Sequence, residues 1–175
     1  MSTNDIGGND RATVLREAFD RSFAQAPSAG AAAVDDLLAI SLRGDRYALR
    51  LGELSGLFAD KTVTWLPSPV AALLGIAGFR GTVLPVYDLG MLLGRPKAAA
   101  PRWLAVAKAA PLALAFDGFD GLLRARADDV VRDARPEPRG RHIREILHGD
   151  IARPIIHVAS ILETLVTGGG RGGLS

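Results

Sequence analysis

Residues 66–94, LPSPVAALLGIAGFRGTVLPVYDLGMLLG, decide the reading of the fold. Pro67 and Pro69 mark a corner, because each fixes φ and removes an N–H donor. The short apolar run Val70 to Leu74 then reads as a helical turn. Gly75 to Phe79 reads as a strand, Arg80-Gly81 as a tight turn, and Thr82 to Asp88 as the returning strand. Leu89 to Leu93 closes the unit as an apolar turn, which Gly94 ends because glycine takes positive φ without steric cost. Pro85 lacks the N–H that a central strand donates, so its strand is expected at a sheet edge or with a bulge there.

Upstream, Leu37 to Arg43 and Arg46 to Leu51 read as strands about Gly44-Asp45, a two-residue hairpin connection. Leu54 to Phe58 is an apolar patch, and Thr62 to Leu66 a β-branched, Trp-bearing strand. Downstream of a soft connection, Lys97 to Pro101, the layout repeats. Trp103 to Lys108 and Leu112 to Asp117 form a hairpin about Ala109-Ala110, Gly118 to Gly121 a turn, and Leu122 to Ala125 a strand. Beyond the polar loop Asp133 to Arg141, Ile143 to His148 leads through Gly149-Asp150 into a strand, Ile151 to Val158, and a helical turn, Ala159 to Val166. GFRGTVLPVYDLGMLL and LHGDIARPIIHVASILETL share one order: turn, proline-bearing strand, apolar helical cap. Short strands at regular spacing with glycine turns predict two small barrels packed face to face, not a parallel α/β sheet.

The chain's 175 residues suit one domain or two small halves sharing a core, and 48% apolar with 23% charged residues suits a soluble globule. The formal charge of +2 argues against nucleic acid as the main partner. With no cysteine, disulfides and thiolate metal sites are excluded, and a reducing compartment is suited. The opening MSTNDIGGND shows neither a basic nor an apolar leader region, so no secretory signal is expected. From Asp10 to Ala24, Val14, Leu15, Ala18, Phe19, Ser22 and Phe23 fall on one side of a helix. Such a helix either covers its own domain or docks in a partner's groove. Residues 1–36 are therefore expected to be a helix with a flexible linker, 37–166 the domain proper, and 167–175 a disordered glycine-rich tail.

The search for chemistry returns no catalytic set. Gly75, Gly78 and Gly81 have neither the order nor the following Lys-Ser/Thr of a phosphate loop. His142, His148 and His157 lack metal-ligand spacing; His157 reads as a core or rim residue, the other two as surface. Asp128, Asp129 and Asp133 read as solvated charges on a loop, and Arg135, Arg139, Arg141 and Arg144 as a basic loop without interleaved aromatics. Neither a cofactor nor a metal is expected. Several sheet edges remain to be covered or used for pairing with another protein, so a binding role follows more naturally than an enzymatic one.

The run GIAGFRGTVLPVYDLGMLLG resembles the signature of CheW-like domains, with Gly75, Arg80, Gly81, Pro85, Val86, Asp88 and Leu89 in register. Asp45-Arg46-Tyr47-Ala48-Leu49 is similar to that family's first hairpin, and the resemblance covers roughly Leu37 to Leu165. It implies a mainly β fold of two small SH3-like five-stranded barrels with short helices, apart from the N-terminal helix. It also implies a non-catalytic, cytoplasmic adaptor coupling chemoreceptor tips to a CheA-type histidine kinase through the kinase's regulatory domain. The positions it implicates in partner binding are Leu54, Gly56, Gly75, Phe79, Arg80 and Gly81. The chain departs from the pattern at Gly56, where a glutamate that can pair with the turn arginine is common, leaving Glu53 or Asp88 as substitutes. It departs also at Gly78-Phe79 and at Gly90, where an arginine is common, and these changes are expected on the interaction side. The alternatives are a β-barrel module binding a small ligand or nucleic acid, and a stand-alone regulator acting through its N-terminal helix.

Overall fold

The computed structural model describes residues 34–97, 101–132 and 142–169. The expected helix over 10–24, the loop 133–141 and residues 170–175 lie outside the described residues, while 167–169 of the expected tail end a helix. The chain opens with a hairpin of β1 (Val34–Leu42) and β2 (Asp45–Arg50). Its turn is Arg43-Gly44, one residue earlier than the sequence suggests, because Asp45 joins the ladder opposite Leu42. Both turn residues have positive φ, 52° and 85°, which defines the type I′ turn whose twist matches the strands it joins.

After a short 3-10 turn, Leu51–Glu53, the chain enters a second sheet. That sheet holds β3 (Leu54–Ala59), β4 (Leu73–Phe79), β5 (Thr82–Asp88), β6 (Trp103–Ala107) and β7 (Ala113–Phe116). β8 (Gly118–Arg126), β9 (Val130–Arg132), β10 (Ile143–Leu147) and β11 (Arg153–Ile156) return to the first sheet. Helix α1 (Leu89–Leu92) follows β5, and α2 (Val158–Gly169) follows β11.

The strand orders are β8-β1-β2-β11-β10-β9 and β3-β6-β7-β5-β4. Apart from β9 they read alike: a crossing strand, a hairpin, a proline-bearing strand, and the partner that precedes it. The repeat seen in the sequence is real, but its two copies exchange hairpins. The first hairpin sits in the barrel completed by the second half of the chain, and β6-β7 sits in the barrel begun by the first half. Pro85 and Pro154 hold matching places. Each stands just before a parallel ladder begins, at Val86↔Ala113 and at Ile155↔Ala48, so neither is asked to donate within it.

Each sheet curls around its own core. Leu37, Ala48, Ala125, Leu147 and Ile155 cluster in the first, with Leu123 and Val130 packed against them. In the second, Ala77, Phe79, Leu84, Val86, Leu104, Val106, Ala113 and Ala115 cluster with Phe58. Phe58 and Phe79 come from β3 and β4, the two edges of that sheet, and meet at 5.1 Å, which brings the edges together as a barrel. Burying a side chain of this size is worth about 1.5–3 kcal/mol, so these clusters dominate the fold's stability.

Three expectations fail for local reasons. Val70 to Leu74 is not helical: Leu73 pairs with Tyr87, so the apolar run feeds β4 instead. Thr62 to Leu66 makes only a bridge, Thr64↔Ile76, before Pro67. Gly118 to Gly121 is no turn but the start of β8, with a bulge at Asp120 where partners pass from Gly121 to Phe119.

Candidate partner-binding groove

The site grows from the second Arg-Gly turn. Arg80 and Gly81 join β4 to β5 with φ of 46° and 87°, again type I′, and Arg80 is exposed. Its guanidinium carbon lies 5.9 Å from the centroid of the Phe58 ring, and Lys61 Nζ lies 5.5 Å from the same centroid. Phe79 meets that ring edge-on. A Cβ on Gly56 would stand 2.8 Å from the Phe58 ring, so the missing side chain at 56 is the space the ring occupies.

Around this cluster an open groove of about 500 Å³ forms at the mouth of the second barrel. Phe58, Phe79, Leu84 and Val106 make an apolar floor, while Arg80 and Lys108 supply charge at the rim. Among the described residues no aspartate or glutamate lines it. The two carboxylates that the sequence offered to Arg80 are engaged elsewhere. Glu53 Oε2 accepts from the backbone N–H of Val158 at 3.3 Å, at the start of α2. Asp88, wholly buried, accepts from Arg43 Nη2 at 2.9 Å and from the Met91 N–H at 3.0 Å, capping α1.

Arg43 ties the barrels together. Besides Asp88, it reaches Asp117 at 3.3 Å and the carbonyl of Pro96 at 2.6 Å. Gly90 is buried against it: a Cβ there would lie 2.5 Å from Arg43 Nη1, so this glycine serves a structural lock and not an interaction surface. Arg95 adds a second tie, donating to the Tyr47 hydroxyl and pairing with Asp45, each at 2.6 Å. The Tyr47 hydrogen bond first, and the Asp45 carboxylate with it, raise the Arg95 pKa above its ordinary value against the opposing pull of burial.

Of the implicated residues, Phe79 and Arg80 line the groove, and Gly81 completes their turn. Gly56 lies behind Phe58. Leu54 is fully buried at the start of β3. Gly75, at φ 145°, sits under the Thr64 carbonyl, which a Cβ would approach to 2.0 Å. Sequence reasoning missed Phe58, Lys61, Val106 and the loop from Lys108 to Pro111, because strand pairing alone brings them to one mouth. It also placed His142 at the surface. The residue is buried, with Nδ1 2.9 Å from Ser160 Oγ, because the chain passes beneath α2 there. Asp129 accepts from the Arg126 N–H and caps its own turn. Among the described residues no cluster of histidine and carboxylate side chains is arranged to hold a metal, and no helix is long and apolar enough to cross a membrane.

The profile of the CheW-like domain matches residues 36–164, most of the chain. This chain belongs to the CheW-like domain family. Members are chemotaxis scaffold adaptors that work by protein–protein interaction. A solved structure, the scaffolding protein TtCheW from Thermoanaerobacter tengcongensis, shares the fold at a TM-score of 0.64 and 18% identity, over 71% of this chain and 89% of that one. No curated protein matches. The mainly β, two-sheet architecture is consistent with the CheW-like one, and the first sheet holds six strands where five were expected.

Proposed function

We propose that the protein is a non-catalytic adaptor coupling the cytoplasmic tip of a chemoreceptor to the regulatory domain of a CheA-type histidine kinase. One observation carries the reading beyond family membership. The groove beside Arg80 presents a cation whose expected intramolecular partners, Glu53 and Asp88, are occupied. A guanidinium without a carboxylate partner among the described residues is suited to meet one on another protein. In this reading Phe79, Arg80 and Gly81 form the contact, while Leu54, Gly56 and Gly75 shape the strands that present it. The adaptor then works at the cytoplasmic face of receptor clusters and turns over no substrate. Reconstitution tests it: the purified chain, a receptor cytoplasmic fragment and the kinase regulatory domain should co-elute as a ternary complex. Separate elution of all three would remove the coupling role.

A further inference from the structure

We infer that two copies of this chain, folding together at high concentration, form a dimer by exchanging whole halves. Residues 34–97 of one copy then complete both barrels with residues 101–169 of the other. The inference comes from the strand pairing and holds whichever protein the groove binds.

Neither half makes a barrel alone. Within 34–97 only the hairpins β1-β2 and β4-β5 pair, while the one ladder of β3 is with β6. Within 101–169 only β6-β7 and β9-β10-β11 pair, while the one ladder of β8 is with β1. Both cores are divided in the same way. Leu37 and Ala48 pack with Ala125 and Ile155 in the first barrel, and Phe79 and Val86 with Leu104 and Ala113 in the second. Polar ties also cross the division: Arg43 meets Asp117 at 3.3 Å, Arg50 meets Glu145 at 2.6 Å, and Glu53 accepts from the Val158 N–H at 3.3 Å.

Each of these contacts is indifferent to whether its two sides belong to one chain. The halves are joined once, by residues 97–101 between Pro96 and Arg102. The closed and exchanged forms therefore differ only in that connection and in the entropy of association. Fully extended, the connection reaches at most about 20 Å, which holds the two exchanged units close together. The groove becomes composite in such a dimer. Arg80 of one copy faces Lys108 of the partner subunit, and two complete grooves are presented by one assembly. Exchange opens both cores, so it belongs to folding and not to the mixing of folded protein.

The full chain carries no cysteine, so introduced cysteines report position cleanly. Asp36 and Arg124 stand opposite one another in the β1-β8 ladder as an exposed ion pair whose loss costs little. A D36C chain and an R124C chain are refolded together from urea at high concentration and treated with a short bis-maleimide. The 36–124 cross-link between chains should form at least about tenfold more than when the two proteins are folded apart and then mixed. Light scattering of the wild-type chain refolded at high concentration should show a species of twice the monomer mass, whether or not either variant folds. Monomer alone, a dimer without the 36–124 link, or equal cross-linking from the mixed folded proteins would each overturn the inference.

Discussion

Arg43 closes on the buried carboxylate of Asp88 at 2.9 Å, so the hairpin turn of one barrel grips the proline-bearing strand of the other. The two residues are 45 positions apart, and the contact joins the halves that exchange hairpins. Asp88 has no solvent exposure, so losing Arg43 removes the guanidinium that offsets its buried charge. Arg43→Leu is therefore predicted to cost about 3 kcal/mol of stability, and adding Asp88→Asn should restore part of it. Urea denaturation of the single and double variants measures both.

Gly90 depends on the same contact. Gly90→Ala puts a methyl group where the Arg43 guanidinium lies, and overpacking of this kind costs about 1–3 kcal/mol. In an Arg43→Leu background the same change should cost little, because the obstructing guanidinium is gone. A thermal-melt cycle over the four proteins reads the coupling; simple additivity would refute the lock.

Gly75 answers to backbone, not to a side chain. At φ 145°, with the Thr64 carbonyl in the way, Gly75→Ala must open the bridge in which Ile76 N–H donates to Thr64 O at 2.8 Å. The expected loss is about 1–3 kcal/mol. The local sign is faster hydrogen exchange at Ile76, with amides of the first barrel left protected.

Glu53 marks a further crossing between halves. Its carboxylate accepts from Val158 N–H at the first turn of α2, so Glu53→Ala should cost about 0.5–2 kcal/mol, the usual range for a lost cap. Hydrogen exchange should rise in the first turn of α2, with groove resonances unchanged.

How far the sequence revealed this molecule depends on where its punctuation lay. Arg80-Gly81 and the strand Thr82–Asp88 were legible because a turn glycine and a proline bracket an alternating run. Val70 to Leu74 was not, since a short apolar run fits helix and strand equally until its pairing partner Tyr87 is known. Gly118 and Gly121 announced irregularity correctly, yet glycine serves a bulge as readily as a turn. Arg80 was legible as an exposed turn residue. Its surroundings were not, because Phe58 and Val106 reach the groove from strands far apart in sequence. Arg43 was hidden for the same reason: its partners Asp88 and Asp117 lie 45 and 74 residues away. The exchange of hairpins also left no local trace. It is written in which strands pair, and a repeat in sequence says only that two similar units exist.

The central claim is that the Arg80 turn docks a protein partner and that the chain acts by this binding alone. The most direct measurement is calorimetric titration of the wild-type chain and its Arg80→Glu variant with the kinase regulatory domain and with the receptor fragment. The account predicts binding by wild type and a loss of about tenfold or more for at least one partner in the variant, at unchanged melting temperature. Equal affinities for both proteins, or no binding by wild type to either partner, would contradict it.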